Sequence, residues 1–122
     1  MAYIPEDAKW FIADLVVEFT IYDNDMEKVI HINIVLVEAS SAEDAYLKAL
    51  DLGKDYETSY TNSDGNLVDV RFVGLRELNV IHDELEHGAE LTYESPKGLT
   101  DEEIEKLARS KEALAVFRSD EE

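Results

Sequence analysis

The run from His82 to His87 holds two histidines and three acidic residues, which are side-chain types that bind metal ions. On a helix, histidines five residues apart point about 140° away from each other, whereas the zinc metalloprotease motif places them four apart on one face. A loop could bring both to one ion together with His31, but a zinc site needs at least three protein ligands. We therefore predict an acidic, solvated loop here and assign no metal ligand.

The segment from Asn62 to Asn66 resembles the middle of a calcium-binding loop, in which acidic residues alternate around a glycine. However, Tyr60 stands where the first carboxylate belongs, and Arg71 stands where the closing glutamate belongs. The Asp-Gly pair at 64–65 suits the positive backbone angles of a tight hairpin, so a turn explains the same residues with fewer assumptions. The same reasoning predicts a turn at 23–25.

Other catalytic and cofactor chemistry finds little support in the sequence. No serine lies in a Gly-x-Ser-x-Gly turn, and the five glycines are scattered singly, so no phosphate-binding loop is present. The absence of cysteine excludes disulfides, thiolate zinc sites and iron–sulfur clusters. We predict no catalytic residue, no cofactor and no metal site, and we keep an enzymatic or small-molecule-binding domain as an alternative.

Charge is the strongest compositional feature, because 29 Asp and Glu stand against 11 Lys and Arg, for a net charge of -18. Direct binding to nucleic acid is disfavoured, since it needs a basic surface that releases counterions. Three interpretations remain: an acidic surface for a basic partner, a mimic of a nucleic acid, or solubility alone. We favour a protein-interaction module that engages a basic protein, such as an inhibitor or an immunity-type partner of a toxin.

Length and composition indicate one folded domain. A chain of 122 residues with 45% apolar residues can bury a core without disulfides. Its start has no basic region followed by an apolar stretch, and its longest aliphatic run is only 34–37. We expect a single domain over 1–122 with its core at about 10–95, no membrane span, and a cytoplasmic location.

Two alternating segments predict an antiparallel hairpin. The first strand runs from Trp10 to Tyr22, and in the second strand apolar residues alternate with His31 and Asn33. The apolar face of the first strand is formed by Phe11, Ala13, Leu15, Val17, Phe19 and Ile21, and the alternating residues of the second are Ile30, Ile32, Ile34 and Leu36.

A helix should follow Ser40-Ser41, because a hydroxyl can cap its first turn and Asp44 can reach back. We expect it to end between Gly53 and Ser59, with Gly53 allowing close packing on the sheet. After the turn at 64–65, strand residues resume with a bulge near Gly74.

Alternation then predicts a last strand over 89–93, and a second capping box at Thr100 begins an amphipathic helix over about 101–117. The predicted fold class is α+β: an antiparallel sheet of four to five strands with one helix packed on a face and a C-terminal amphipathic helix.

The face of the hairpin opposite the predicted core is too apolar to be fully solvated. A docked C-terminal helix, a second copy of the chain or a partner protein could cover it, so a homodimer is possible. This candidate interface comprises Trp10, Ile12, Val16, Tyr22, Val35 and Val37.

An ordered set of segments resembles a bacterial family. The strand opening at 10–15, the segment 37–45 before a helix and the run 71–75 after an Asp-Gly pair are similar to the small domains catalogued as domain of unknown function 4288. The likeness covers about residues 10–93 and leaves out the C-terminal helix. It implies a compact bacterial α+β domain and brings no activity, ligand or catalytic residue with it.

Overall fold

The computed structural model describes residues 9–118. Residues 1–8 and 119–122, which the single-domain prediction includes, lie outside this range. Within it, one compact unit ends at Thr92 and a second begins at Tyr93. No helix in the described range is long and apolar enough to span a membrane.

The first unit contains a four-stranded sheet and one helix, which confirms the predicted α+β class. The strands are β1 (Trp10–Tyr22), β2 (Glu27–Glu38), β3 (Thr58–Thr61) and β4 (Leu67–Val80). Their order is β2-β1-β4-β3, and every neighbouring pair is antiparallel. The first strand of the chain is therefore central, while β2 and β3 lie at the edges.

The first predicted hairpin is confirmed. Residues of β1 and β2 pair without interruption from Trp10 opposite Glu38 to Ile21 opposite Glu27. At the turn, the Asp23 carboxylate accepts hydrogen bonds from the backbone N–H groups of Asp25 and Met26, both at 2.9 Å. An aspartate commonly closes a turn in this way, because its side chain replaces a backbone acceptor.

The second predicted hairpin is also confirmed. Gly65 has a φ of +84°, and the Asn62 side-chain oxygen accepts from the N–H groups of Asp64 and Asn66, each at 3.0 Å. Farther along β4, the pairing with β1 shifts register on both sides of the contact between Val16 and Gly74. The predicted bulge near Gly74 is therefore present.

Helix α1 (Ala42–Lys54) begins at the predicted cap. The Ser41 hydroxyl accepts from the Asp44 N–H, and the Asp44 carboxylate accepts from the Ser40 N–H, each at 3.0 Å. The bond from Ser40, with further help from Lys48, lowers the pKa of Asp44 below its usual value. A charged carboxylate in the first turn also interacts favourably with the helix dipole.

The core lies between α1 and one face of the sheet, here called the core face. Ala45, Ala49 and Gly53 are the buried residues of α1. A Cβ atom on Gly53 would overlap the Phe72 ring, so the predicted close packing of Gly53 is confirmed. The buried strand residues of this core are Phe11, Ala13, Leu15, Val17, Val37, Val68, Val70 and Val80.

The predicted strand over 89–93 is wrong, because these residues are extended or irregular and pair with no strand in the described range. Leu91 is exposed, and Tyr93 is 76% exposed. Alternation indicates only that a segment can be half-buried, whereas a strand also requires a neighbour whose backbone groups are available.

The predicted helix over 101–117 is too long. Its capping box is present, since Thr100 and Glu103 exchange side-chain and backbone hydrogen bonds, but α2 spans only Asp101–Leu107. Single 3₁₀ turns follow at Lys111–Ala113 and Ala115–Phe117. No residue of α2 is buried, and a periodic pattern extends a helix only where packing supports it.

Candidate functional site

The six residues of the candidate interface do not share one face of the sheet. Trp10, Ile12 and Val16 alternate with core residues of β1 and so lie on the face opposite α1, here called the second face. Tyr22 follows them at the end of the same row.

Val35 and Val37 lie on the core face, which corrects their placement. They pair directly with Ala13 and Phe11, both of which are buried in the core. Directly opposed residues of an antiparallel pair point to the same side of the sheet. Val37 is itself a core residue, and Val35 packs against the core.

The second face of β2 instead carries four branched aliphatic residues at every other position, here called the aliphatic row. They are between 39% and 58% exposed in the structure. A run of alternating aliphatic residues usually marks the buried face of a strand. The row consists of Ile30, Ile32, Ile34 and Leu36.

Ion pairs occupy the middle of the second face. Arg76 Nη2 lies 2.8 Å from Asp14 Oδ2, and Arg71 Nε lies 3.1 Å from Glu18 Oε1. Lys28 adds a contact of 3.5 Å to the other oxygen of Glu18. Both carboxylates are only 14% exposed, so the acidic side chains of β1 are neutralised by cations from the two flanking strands.

The hydrogen bond from Arg71 lowers the pKa of Glu18 below its ordinary value of 4.5, and Lys28 acts in the same direction. Near the end of this face, hydrogen bonding to Asp69 raises the pKa of Tyr22. Asp69 also accepts a hydrogen bond of 2.6 Å from the Ser59 hydroxyl. The second face is thus a polar network bordered by the aliphatic row.

The Arg71→Gln variant is expected to raise the pKa of Glu18 towards 4.5, because the largest cause of its lowering is removed. A carboxyl whose pKa is lower in the folded than in the unfolded chain adds stability above the unfolded value, and this stability is lost as the pH falls through the folded pKa. At neutral pH the variant should therefore be less stable than the wild type, and it should lose less stability than the wild type as the pH falls, because its Glu18 pKa lies closer to the unfolded value.

Side-chain carboxyl titration by NMR measures this pKa directly. Lys28→Gln serves as the comparison and should raise it less, since its contribution follows that of Arg71. An unchanged Glu18 pKa in Arg71→Gln would show that the pair is not formed in solution.

A groove of about 360 Å³ lies between one end of β2 and the side of α1. Its apolar residues are Leu36, Val37 and Leu52, and its carboxylates are Glu38, Asp51 and Asp55. Lys48 also lines it. We call this feature the acidic groove.

The carboxylates of the acidic groove form no ion pair in the part of the chain that the structure describes. Within residues 9–118, no Lys, Arg or His side chain forms an ion pair with Glu38, Asp51 or Asp55. Lys48 is engaged elsewhere, since its ammonium lies 3.0 Å from the Glu38 backbone carbonyl and 3.4 Å from Asp44. The groove therefore combines apolar side chains with carboxylates that form no ion pair in the described range.

The sequence interpretation did not single out this groove. A local signal existed, because Lys48, Asp51, Leu52 and Asp55 recur at the spacing of one helix face. The contribution of β2 had no such signal, since it depends on where the helix packs across the sheet. The groove lies beside α1 and not beneath it, where small residues bring the helix onto the sheet.

The histidines lie in different settings. His31 is opposite Val17 on the core-face side of β2, and its ring lies 4.6 Å from that of Phe19. His82 and His87 belong to a loop, as predicted, in which Asp83 accepts from the Glu90 N–H at 3.0 Å. Across residues 9–118, no group of three or more His, Cys, Asp or Glu residues could hold a metal ion.

Comparison with known proteins gives one family. A model of the family described as a domain of unknown function (DUF4288) matches residues 10–93, which contain the whole sheet, α1 and the acidic groove. No curated protein and no solved structure matches the chain.

Proposed function

We propose, from the premise that the chain belongs to the family described as a domain of unknown function (DUF4288), that it is an interaction module whose acidic groove binds a basic surface of another protein. The observation that carries this proposal is the set of three carboxylates that line the groove beside apolar side chains and form no ion pair within residues 9–118. Such a surface fits a segment that presents Lys or Arg beside an apolar side chain.

The distribution of charge supports this choice of surface. Three cations are used on the second face, where Lys28, Arg71 and Arg76 neutralise the carboxylates of β1. The groove receives no such compensation within the described residues. In a chain of net charge -18, the groove is thus a place where a cation gains a carboxylate without displacing an existing ion pair.

Charge should act mainly on encounter and on partner selection. Complementary charges at an interface speed association and exclude like-charged partners, whereas each exposed ion pair adds only about 0.2–1 kcal/mol. Apolar contact with Leu36 and Leu52 would supply the non-electrostatic part of the affinity. An inhibitor or immunity-type partner of a basic toxin is one form that such a module takes.

A comparison of three baits tests the proposal. Full-length wild-type chain, a groove variant (Glu38→Gln, Asp51→Asn, Asp55→Asn) and a control variant (Asp25→Asn, Asp64→Asn, Glu84→Gln) would each capture proteins from native lysate at low salt. Both variants remove three exposed acidic charges, so they have the same net charge. We expect basic proteins on the wild type and the control and their loss from the groove variant.

Titration of a captured, purified partner then measures how much the lost charges weaken binding. Loss of three rim charges should weaken binding by about tenfold, and high salt should weaken wild-type binding because exposed charges are screened. The proposal fails when no basic protein is enriched at low salt, or when groove and control variants capture the same proteins.

A small-molecule site in the same groove is the alternative, because its volume lies within the range of about 300–1,000 Å³ typical of ligand pockets. Thermal-shift screening with metabolites separates the two functions, since a ligand that binds only the folded chain raises the unfolding midpoint. The groove variant should lose any such shift, and the control variant should keep it.

A further inference from the structure

β2 is an edge strand without the features that usually protect such an edge. It spans twelve residues, and its pairing with β1 has no register shift. Over 29–37 it contains no Pro, no Gly and no Lys, Arg, Asp or Glu. The other edge strand, β3, has only four residues. Long, regular, apolar edges are sites of strand addition unless charge, Pro or a bulge blocks them.

The backbone groups of β2 that point away from β1 belong to the residues of the aliphatic row. The Ala39 N–H donates to the Lys9 carbonyl at 2.8 Å, and hydrogen-bonded residues alternate along an antiparallel strand. The backbone N–H and C=O groups of the odd-numbered residues of β2 therefore point towards β1. Those of the even-numbered residues from Lys28 to Glu38 point away from it. The position of the Glu38 carbonyl is consistent with this, since it accepts a hydrogen bond from the Lys48 ammonium at 3.0 Å.

We propose that two copies of the chain pair β2 with β2 antiparallel, about a two-fold axis at Asn33 and perpendicular to the sheet. Two four-stranded sheets then form one continuous sheet of eight strands. The outward N–H and C=O groups of each β2 find partners in the other copy. This assembly does not rest on the proposed binding of a basic protein, although Leu36 and Glu38 belong to both surfaces.

The sequence of β2 is complementary to itself in this register. Lys28 of each copy lies opposite Glu38 of the other copy. An opposite-charge pair therefore forms at each end of the interface. Between them, Ile30 lies opposite Leu36, and Ile32 opposite Ile34. All members of the aliphatic row thus meet one another on the second face, which removes exposed apolar surface from water.

A shift of two residues loses this match. In one direction Lys28 would lie opposite Leu36 and Glu38 beyond the end of the strand, and in the other Glu38 would lie opposite Ile30 and Lys28 beyond the end. A shift of one residue would place outward-facing backbone groups opposite inward-facing ones. The register centred on Asn33 therefore has a chemical advantage over its neighbours.

A cysteine at the axis tests the register directly, because the chain has no cysteine of its own. In Asn33→Cys the two Cα atoms would form a non-hydrogen-bonded pair about 4.5 Å apart, within the range that disulfides span. In the control His31→Cys the equivalent atoms would be roughly 14 Å apart. We expect a covalent dimer of Asn33→Cys under mild oxidation and none of His31→Cys. Equal cross-linking of the two variants, or none of Asn33→Cys, overturns the proposal.

Charge reversal provides a second test by sedimentation or light scattering of the full chain. The wild type should show twice the 13.9 kDa chain mass at high concentration. Lys28→Glu or Glu38→Lys alone should raise the dissociation constant at least about tenfold, and the double variant should restore it. Lys54→Glu makes the same change of charge as Lys28→Glu away from β2 and should have little effect. Circular dichroism checks that each variant is folded.

In both the single and the double variant, Lys28→Glu repels Glu18 within the same chain. If the double variant restores dimerisation, this repulsion within one chain is therefore not the cause of the weaker dimer. A wild type that stays monomeric, or a double variant no better than the single ones, contradicts the proposal. Salt separates this inference from the proposed function. Two copies of net charge -18 repel, so salt should strengthen the dimer while it weakens binding of a basic partner.

Discussion

Leu15→Ala is expected to lower the free energy of unfolding by about 3 kcal/mol, within the range of about 2–5 kcal/mol found for fully buried leucines. Leu15 is 0% exposed in the centre of β1 and belongs to the core beneath α1. The loss combines the transfer of buried methyl groups with the cavity they leave behind. It would remove a large fraction of a domain stability that is typically only about 5–15 kcal/mol.

Urea unfolding followed by circular dichroism measures this difference. Leu47→Ala is the matched control, because Leu47 is 51% exposed on α1 and alanine favours the helix at least as well as leucine. Its effect should stay within about 0.5 kcal/mol. Similar losses from both substitutions would mean that the described core is not the one that forms in solution.

Gly53→Ala is expected to destabilise the fold by about 1–2 kcal/mol, although the same change in an exposed helix would be stabilising. The added Cβ would overlap the Phe72 ring, and overpacking a core usually costs about 1–3 kcal/mol. The intrinsic preference of alanine for helices offsets at most about 1 kcal/mol of this. The sign of the effect therefore reports whether α1 approaches β4 as closely as described.

A double-mutant cycle with Phe72→Leu isolates the contact. With the ring removed, Gly53→Ala should cost less than in the wild-type background and could become stabilising. Additive effects of the two substitutions would show that the glycine and the ring do not meet.

Much of the fold could be predicted because its signals are local. The turns rest on the side chains of Asp23 and Asn62 and on Gly65, and the start of α1 rests on Ser41 and Asp44. Each of these residues acts within a few positions of itself, so its chemistry is visible in the sequence. The bulge near Gly74 was visible for the same reason, as a break in alternation.

The orientation of β2 was not predictable from its own pattern. The even positions of β2 hold four aliphatic residues, whereas its core face includes His31 and Asn33. The assumption that the more apolar face of a strand points inward therefore placed Val35 and Val37 on the wrong side. The hairpin register, and not hydrophobicity, decides which face of β2 meets the core.

The ion pairs of the second face depend on contacts that are distant in sequence. Arg76 and Asp14 are 62 residues apart, and Arg71 and Glu18 are 53 apart. No local pattern reports which arginine meets which acid across β1 and β4. The acidic groove escaped prediction for a similar reason, since it needs β2 and α1 together.

The central position of β1 has a consequence for the order in which the chain folds. β1 and β2 can pair as a local hairpin as soon as both are synthesised, but the other side of β1 must wait for β4, whose residues follow their partners by 45 (Tyr22 to Leu67) to 69 (Phe11 to Val80) positions. Such non-local pairing slows folding, because the entropy cost of closing the connecting loop comes before the stabilising contacts form. Until β4 arrives, the backbone N–H and C=O groups on that side of β1 lack their strand partner, and this is the interval in which a nascent chain is most exposed to misassembly.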